Sequence, residues 1–206
     1  MMKLKLTKGE LKKQRDALKA YQRYLPTLQL KKQQLQMEIL RQITLLEEKS
    51  RHEQLKKASA KSWSGLLSAD KEVNIAQRLK PKETALTERN IAGVGLPVFE
   101  RLEFPLAEYD LFTAPLWVDA AIEILRAIVS LRKETEVIRQ GIEILRQELR
   151  VTTQRVNLFE KVKIPEAEEA IRRIKIYLGD QMANAVGRSK IAKRKIEQAA
   201  LEEALV

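Results

Sequence analysis

The sequence is poor in the residue types on which many catalytic and metal sites depend. It has no cysteine, one histidine and seven glycines among 206 residues, and 5% of its residues are aromatic. Without cysteine the chain forms neither disulfides nor thiolate sites, which fits a reducing cytosol. His52 lies between Arg51 and Glu53, and metal ligation would need partners that the sequence does not supply.

Further absences exclude other classes of protein. No apolar run approaches the roughly 18 residues of a membrane-spanning helix, and the basic N-terminus lacks the apolar core of a signal peptide. The glycines of Gly93-Val94-Gly95 and Gly187-Arg188-Ser189 fail the spacing of a phosphate-binding loop. Acidic residues fall at solvated helical positions, where no pocket shifts their pKa values. We therefore predict a cytosolic protein with no catalytic residue, cofactor or metal and no direct insertion into a membrane.

A heptad repeat occupies the beginning of the sequence. Its core positions, in alternating steps of three and four, are Leu11, Gln14, Leu18, Tyr21, Leu25, Leu28, Lys32, Leu35, Ile39, Gln42 and Leu46. Such a repeat predicts a helix that winds around a partner along a narrow apolar seam. Three polar positions (Gln14, Lys32 and Gln42) interrupt the seam. They either fix the register of pairing or open the seam to another subunit.

A second heptad repeat lies in the later half of the chain. Its core positions are Trp117, Ala121, Ile124, Ile128, Leu131, Thr135, Ile138, Ile142, Leu145, Leu149, Thr152, Val156 and Phe159. A chain with two such runs, joined by a compact excursion, most simply folds back on itself. We therefore predict a mainly α fold: a long antiparallel two-helix coiled coil with a small central α/β-hairpin module.

Three segments follow from these patterns. Residues 1–80 are predicted to form the N-terminal coiled-coil helix, residues 81–113 a β-hairpin and linker module, and residues 114–206 the C-terminal coiled-coil helix. Thr7 and Glu10 read as a capping box at the start of the first helix.

Prolines and glycines mark the irregular points of these segments. Pro26 predicts a kink in the first helix, and Pro165 a bend in the last. Short extended stretches around Gly93 and Gly95 predict a hairpin over residues 84–104, with Pro97 at an edge or strand start.

The fold-back allows two pairing registers. If the first helix persists to about Lys80, paired residue numbers add to about 195, and the N-terminal lysines lie beside Arg188–Lys195 in one basic tip. Pro26 and Pro165 then stand at similar heights, and we favour this register because two independent features align in it. If the first helix ends near Ser62, the numbers add to about 177 and the C-terminal helix overhangs alone.

Positive charge is concentrated near the two ends of the sequence. The net charge is +11, and residues 1–62 carry 16 Lys and Arg against six Asp and Glu. Lysines at a helix N-terminus oppose the helix dipole, so this end either gains solubility from them or meets an acidic or carbonyl-rich surface. The predicted partner-contact residues are Lys3, Lys5, Lys8, Arg188, Lys190, Lys193, Arg194 and Lys195.

One segment resembles a family signature. Arg155-Val156-Asn157-Leu158-Phe159-Glu160-Lys161-Val162-Lys163-Ile164-Pro165 is similar to the motif of the D subunit of the V-type and A-type rotary ATPases, in which Arg155, Val156, Asn157 and Pro165 match. The opening helix, with Leu30-Lys31-Lys32-Gln33-Gln34-Leu35, and the stretch Asn90–Pro97 also resemble this family, in the same order. The sequence departs from the family pattern at its start, where the usual proline is missing and Pro26 lies within the helix.

The resemblance implies a central-stalk rotor subunit that is not itself an enzyme. Such subunits place a coiled coil inside a hexamer of A-type and B-type subunits. They connect, with the small F subunit of the central stalk, to an adaptor on the membrane ring. Rotation couples ATP hydrolysis or synthesis to ion transport, such as hydrogen ion transport, in a peripheral complex on the cytoplasmic face of the membrane.

Two other classes of protein remain as alternatives. An isoelectric point near 9.8 fits a coiled coil that binds nucleic acid through phosphates, although interleaved aromatic residues and a known reading module are missing. A membrane-surface or cytoskeletal scaffold would need a basic amphipathic face with bulky apolar residues. Neither alternative accounts for the hairpin or for the Asn157 signature, so we expect no nucleic acid among the partners.

Overall fold

The computed structural model describes residues 4–69, 75–106 and 115–203. Its elements in chain order are helices α1 (Lys8–Lys61), α2 (Leu66–Ala69) and α3 (Ile75–Arg78), strands β1 (Glu83–Ile91) and β2 (Val94–Glu103), helix α4 (Trp117–Leu158), a π-helical turn (Phe159–Lys163) and helix α5 (Ile164–Glu203). The two long helical regions and the small antiparallel hairpin confirm the predicted fold class.

The chain forms two compact units. The terminal unit combines the chain up to Gln29 with the chain from Thr153 onward, and the central unit is Leu30–Thr152. Helical seams run through both units, and none of the eleven core positions of the first heptad run or the thirteen of the second is exposed. The heptad pattern therefore identified the inward-facing side chains correctly.

Helix α1 begins at the predicted cap. The backbone N–H of Glu10 donates to Thr7 Oγ1 at 3.3 Å. The Glu10 carboxylate, expected to reach back to Thr7, instead accepts a hydrogen bond from Gln14 Nε2 at 2.9 Å. The helix continues through Pro26 without interruption, as one helix.

Helix α1 ends at Lys61, well short of the predicted residue 80. Serine and glycine are weak helix formers, and Ser62, Ser64 and Gly65 follow the last helical residue. The Ser62 hydroxyl donates to the Ser59 carbonyl at 2.8 Å, and the Ser64 hydroxyl donates to the Lys61 carbonyl at 2.9 Å. These bonds satisfy carbonyls that the end of a helix leaves without intrahelical partners.

In the central unit α1 and α4 pair antiparallel. Lys31 Nζ lies 2.9 Å from Glu148 Oε1, and Lys49 Nζ lies 2.7 Å from Glu134 Oε1. The paired residue numbers add to 179 and 183. Gln42, which interrupts the seam, donates through Nε2 to Glu38 Oε1 at 2.8 Å, so this polar core side chain bonds along its own helix.

The hairpin closes through a tight two-residue loop. Ala92 and Gly93 have φ values of 52° and 78°, as a type I′ turn requires. Asn90 Oδ1 accepts the Gly93 backbone N–H at 2.9 Å. Because pairing alternates away from the loop, Pro97 opposite Glu88 falls on a pair without ladder hydrogen bonds. Both strands of a two-stranded sheet are edges, so the prediction for Pro97 is confirmed.

The tip of the hairpin packs against the helix pair. Val94 and Leu96 of β2 form one buried cluster with Leu35 and Ile39 of α1 and Leu145 of α4. Leu35 and Leu145 are fully buried. The hairpin therefore completes the core of the central unit and covers one side of the coiled coil.

The terminal unit shows which pairing register is correct. The rings of Tyr21 and Phe159 stack with centroids 5.4 Å apart, and their numbers add to 180. The favoured register of about 195 is therefore wrong, and the alternative of about 177 is close. The physical reason is the early end of α1 at Lys61.

In the observed register, the two basic clusters and the two prolines are not at the same heights, as they were in the favoured register. Lys8 is level with about residue 172, and the Arg188–Lys195 cluster lies some 16 residues, or about 24 Å, further along α5. Pro26 is level with about residue 154, far from Pro165. Among the described residues, Lys5 and Lys8 therefore do not form one basic tip with the Arg188–Lys195 cluster.

The seam of the terminal unit contains one irregular step. Its apolar side chains are Val156, Phe159, Ile164, Ala167, Ile171, Ile174 and Leu178, each buried or half-buried. The step from Phe159 to Ile164 is five residues, whereas the others are three or four. At this step the Ile164 N–H donates to the Phe159 carbonyl, five residues back, so the π-helical turn absorbs the extra residue.

Candidate partner-binding surfaces

The end of α5 carries a seam that nothing in the described chain covers. Every residue from 179 to 200 is exposed, and we call this stretch the α5 end. After two successive four-residue steps, from Ile174 to Leu178 and on to Met182, the seam positions continue in steps of three and four through Ala185, Ser189, Ala192 and Ile196. Met182 is 55% exposed and Ile196 is 69% exposed. A seam built for helix packing is thus available to another protein.

Basic side chains surround this seam. Arg188, Lys190, Lys193, Arg194 and Lys195 are all exposed. Lys193 Nζ lies 3.6 Å from Glu197 Oε1, and the other four make no salt bridge within the described part of the chain. The surface therefore combines a narrow apolar stripe with excess positive charge.

The predicted N-terminal contact residues are placed separately. Lys5 and Lys8 are exposed near the start of α1, and Lys3 lies outside the described residues. In the pairing register of this unit Lys5 and Lys8 are not neighbours of the α5 end.

The family motif combines core and surface residues. Val156 is 4% exposed and belongs to the seam of the terminal unit, whereas Arg155 and Asn157 point outward. Pro165 follows the π-helical turn after Ile164. Its ring would clash with the carbonyl of residue 161 in a regular α-helix, and the wider turn relieves that clash.

Sequence reasoning missed one residue that fastens the hairpin segment. Arg126 of α4 donates through Nη2 to the Pro105 carbonyl at 2.6 Å and to the Arg78 carbonyl at 3.3 Å. Its guanidinium also lies 5.2 Å from the centre of the Phe104 ring. The side chain thus joins the end of α3 and the exit from β2 to α4. The only sign of this role in the sequence is that Arg126 lies next to the apolar core positions of a heptad helix.

Ionisable groups on the helices form surface pairs. Hydrogen bonds from Arg172 and Arg173 lower the pKa of the exposed Glu169 carboxyl to about 2. Lys133 lowers the pKa of Glu136 in the same way. His52 is exposed, and the described residues include no cluster of three or more His, Cys, Asp and Glu side chains suited to a metal ion. These shifts stabilise charged surface groups and prepare no group for proton transfer.

Hydropathy gives no sign of a bilayer-crossing element. Across residues 4–69, 75–106 and 115–203, every helix is too short or too polar to span a membrane.

These features define the class of protein. An antiparallel coiled coil with a packed hairpin, polar surface pairs and an uncovered basic helix end is a structural subunit that acts through contacts with other proteins.

Comparison with known proteins gives the family. The sequence profile of the ATP synthase D subunit matches residues 10–194. The V-type ATP synthase D subunit of Borreliella burgdorferi is 45% identical over 193 residues, which is 94% of this chain and 95% of that protein. The D subunits of the V-type ATP synthases of Chlamydia caviae and Chlamydia trachomatis are 34% and 31% identical over 196 residues, covering 95% of this chain and 94% and 97% of theirs.

The chain belongs to the family of ATP synthase D subunits, and it is a non-catalytic stalk subunit of a V-type rotary ATPase. The resemblance predicted from the Arg155–Pro165 motif is confirmed. Nothing favours the nucleic-acid or scaffold alternatives.

Proposed function

We propose that this chain is the rotor shaft that couples ATP hydrolysis or synthesis in a catalytic hexamer to ion transport through a membrane ring. Its partners in this proposal are A-type and B-type subunits around the α5 end, a small F subunit on the stalk, and an adaptor on the ring. The chain then lies at the cytoplasmic face of the membrane and is attached through these partners.

One observation carries the proposal: the seam of α5 continues beyond Leu178, where no described part of this chain covers it. Apolar seam residues left in water cost free energy unless a partner buries them. The basic residues around Met182 and Ile196 select a partner with acidic side chains or exposed carbonyls. We infer that the α5 end enters the hexamer.

Asymmetric contacts provide a physical route to coupling. A helix end with an apolar stripe on one side and bases around it presents a different face to each hexamer interface. Rotation then biases each catalytic site between states according to the contacts it receives, because only a difference in interaction free energy shifts an equilibrium.

Charge reversal at the α5 end tests the proposal. Arg188→Glu, Lys190→Glu and Arg194→Glu change three exposed bases that lack a salt bridge in the described chain. Exposed ion pairs contribute about 0.2–1 kcal/mol each, and three reversals replace attraction by repulsion. We expect the affinity for a hexamer of A-type and B-type subunits to fall by at least about tenfold. The fall should shrink as salt is raised.

The matched control changes three exposed bases of the central unit, Arg51→Glu, Lys56→Glu and Arg150→Glu. Net charge changes equally, so a general effect of charge would weaken both triple variants alike. Binding that is unchanged in the α5 variant, or weakened equally in both, contradicts the proposed contact.

A further inference from the structure

The two edges of the hairpin differ in what they offer to a further strand. Ladder hydrogen bonds alternate outward from the two-residue loop, so the N–H groups of Leu86, Glu88 and Asn90 point away from β2, along what we call the β1 edge. No other backbone bond within the described chain occupies these groups. On β2 the position opposite Glu88 is Pro97, which has no N–H. The β1 edge is therefore open to pairing, whereas the edge of β2 is interrupted at its middle.

A groove next to the β1 edge has room for an added strand. It measures about 520 Å³ and lies between β1 and the exposed side of α1, within the central unit. Gln34, Met37 and Arg41 line it from α1, and Arg89 and Ile91 line it from β1. A strand bonded to β1 would lie about 4.8 Å from it. Its inward side chains would then cover Met37, which is 65% exposed in the isolated chain.

Charged side chains around the groove favour an acidic partner strand. Arg41 and Arg89 are exposed, and neither makes a salt bridge within the described residues. The groove also contains Glu38, whose carboxylate already accepts a hydrogen bond along its own helix. The Glu88 carboxylate lies over Gly95 and does not line the groove. Charges on an edge strand discourage pairing with an unmatched strand, so the two arginines require carboxylates opposite them.

We propose that the β1 edge is a docking site for an extended segment of another protein, which adds to the hairpin as a third strand. The inward side chains of that segment are an apolar residue over Met37 and carboxylates beside Arg41 and Arg89. Backbone hydrogen bonds to β1 then provide affinity, and the groove provides specificity. This surface uses other residues than the α5 end, and the proposal goes beyond the rotor function without depending on it.

Two variants of the full-length chain isolate the backbone contribution. Glu88→Pro removes the central outward N–H of β1 and no ladder bond, because Glu88 and Pro97 form a pair without ladder bonds. Glu88→Ala is the matched control, since it removes the same side chain and keeps the N–H. Slow amide exchange at Arg89 and Leu96, whose N–H groups belong to the ladder, shows in each variant that the hairpin is intact.

The probe for the isolated chain is a capped seven-residue peptide. It has glutamate at its second and sixth positions, leucine at its fourth and threonine elsewhere, so that the first three of these side chains share one face of a strand. One control peptide has lysine in place of glutamate. A second control is N-methylated along one edge, which removes the bonds to β1 without altering the protein.

The peptide should bind along one edge of the hairpin. We expect it to slow amide exchange at Leu86, Glu88 and Asn90 at least about tenfold and to leave Gly95, on the edge of β2, unchanged. Affinity should be at least about fivefold weaker for Glu88→Pro than for Glu88→Ala, and weaker by a similar factor for the N-methylated peptide. The lysine peptide should not bind, because it meets two arginines. Unprotected outward N–H groups, or equal affinity of the N-methylated peptide, overturn the proposal.

Exchange in the native assembly shows whether the edge is used. In complexes purified through a tag on this chain, the N–H groups of Leu86, Glu88 and Asn90 should exchange at least about tenfold more slowly than in the isolated chain. Exchange as fast as in the isolated chain overturns the docking site. If no ATPase subunits are recovered with the chain, the rotor function fails, and the peptide measurements still decide whether the β1 edge pairs.

Discussion

The central unit and the α5 end use the same repeat in opposite environments. In the central unit, Leu35 and Leu145 are fully buried beneath the hairpin tip. At the α5 end, Met182 and Ile196 occupy equivalent seam positions and are more than half exposed. The charges differ as well, since α1 and α4 exchange cross-helix salt bridges in the central unit, whereas bases accumulate at the α5 end.

The difference shows that a heptad pattern specifies a packing face without specifying what covers it. In the central unit the cover comes from this chain. At the α5 end, in the proposed function, the cover comes from another protein of the complex. In that proposal, unbalanced charge beside a seam marks the surface that a partner covers.

The largest expected effect comes from truncating equivalent seam residues in the two regions. Leu35→Ala should lower the free energy of unfolding of the isolated chain by about 2–5 kcal/mol, because it leaves a cavity in the hairpin cluster. Ile196→Ala should change it by less than about 0.5 kcal/mol, since this side chain is already 69% exposed. Denaturant unfolding of both variants measures the contrast.

The same pair gives a second contrast on assembly. Ile196→Ala should weaken binding to the hexamer although the isolated chain keeps its stability. If Ile196→Ala destabilised the isolated chain as much as Leu35→Ala, the α5 end would be packed within this protein and the comparison would be wrong.

The sequence predicted correctly which side chains form the seams, but it did not predict which residues of the two helices are paired. Side chains at steps of three and four face inward in any helix pair, so Leu35, Leu145 and Val156 could be assigned without a partner. The register depends on where α1 ends. Helix α1 ends at Lys61, where the Ser62 and Ser64 hydroxyls bond the carbonyls of Ser59 and Lys61, and a repeat pattern does not report such local bonds.

Two further features of the structure needed information from distant parts of the chain. The extended stretch around Val94 and Leu96 predicted a strand, but not that α1 and α4 would cover it. The π-helical turn is visible in the sequence as the five-residue step between Phe159 and Ile164. The predicted heptad repeat ends at Phe159 and therefore does not include this step. The predicted contact bases within the described residues lie on the surface, and their partners remain a prediction.

A smaller effect comes from glycines within the two regions. An ideal Cβ at Gly141 of α4 or at Gly187 of the α5 end would meet no heavy atom within 4 Å. Alanine at either position favours the helix by about 1 kcal/mol over glycine. Gly141→Ala should therefore raise the denaturant midpoint of the chain, because α4 unfolds with the central unit.

Gly187→Ala should leave that midpoint unchanged, since the α5 end frays without unfolding the packed seams. The added helix stability from Gly187→Ala should appear as slower amide exchange around residues 184–190. Equal increases in midpoint for the two variants would mean that the α5 end unfolds together with the rest of the chain.

The smallest expected effect is a dependence of stability on pH that comes from Glu169 in the packed part of α5. Glu169 lies between seam residues Ala167 and Ile171, and its carboxyl accepts hydrogen bonds from Arg172 and Arg173. These bonds lower its pKa to about 2, from an ordinary value of 4.5. The stabilisation is fully present above the ordinary value, because the carboxylate is then charged in both the folded and the unfolded chain.

As pH falls from about 4.5 toward 2, the unfolded chain takes up the proton first, and the contribution of Glu169 is lost. The unfolding midpoint of the unaltered chain should therefore exceed that of Glu169→Gln above about pH 5 and converge with it as pH approaches about 2. Because the pair is exposed, added salt should reduce the difference at every pH. A constant difference across this range would mean that Glu169 acts through helix propensity and not through its charge, since glutamine keeps the shape of the side chain and removes only the titration.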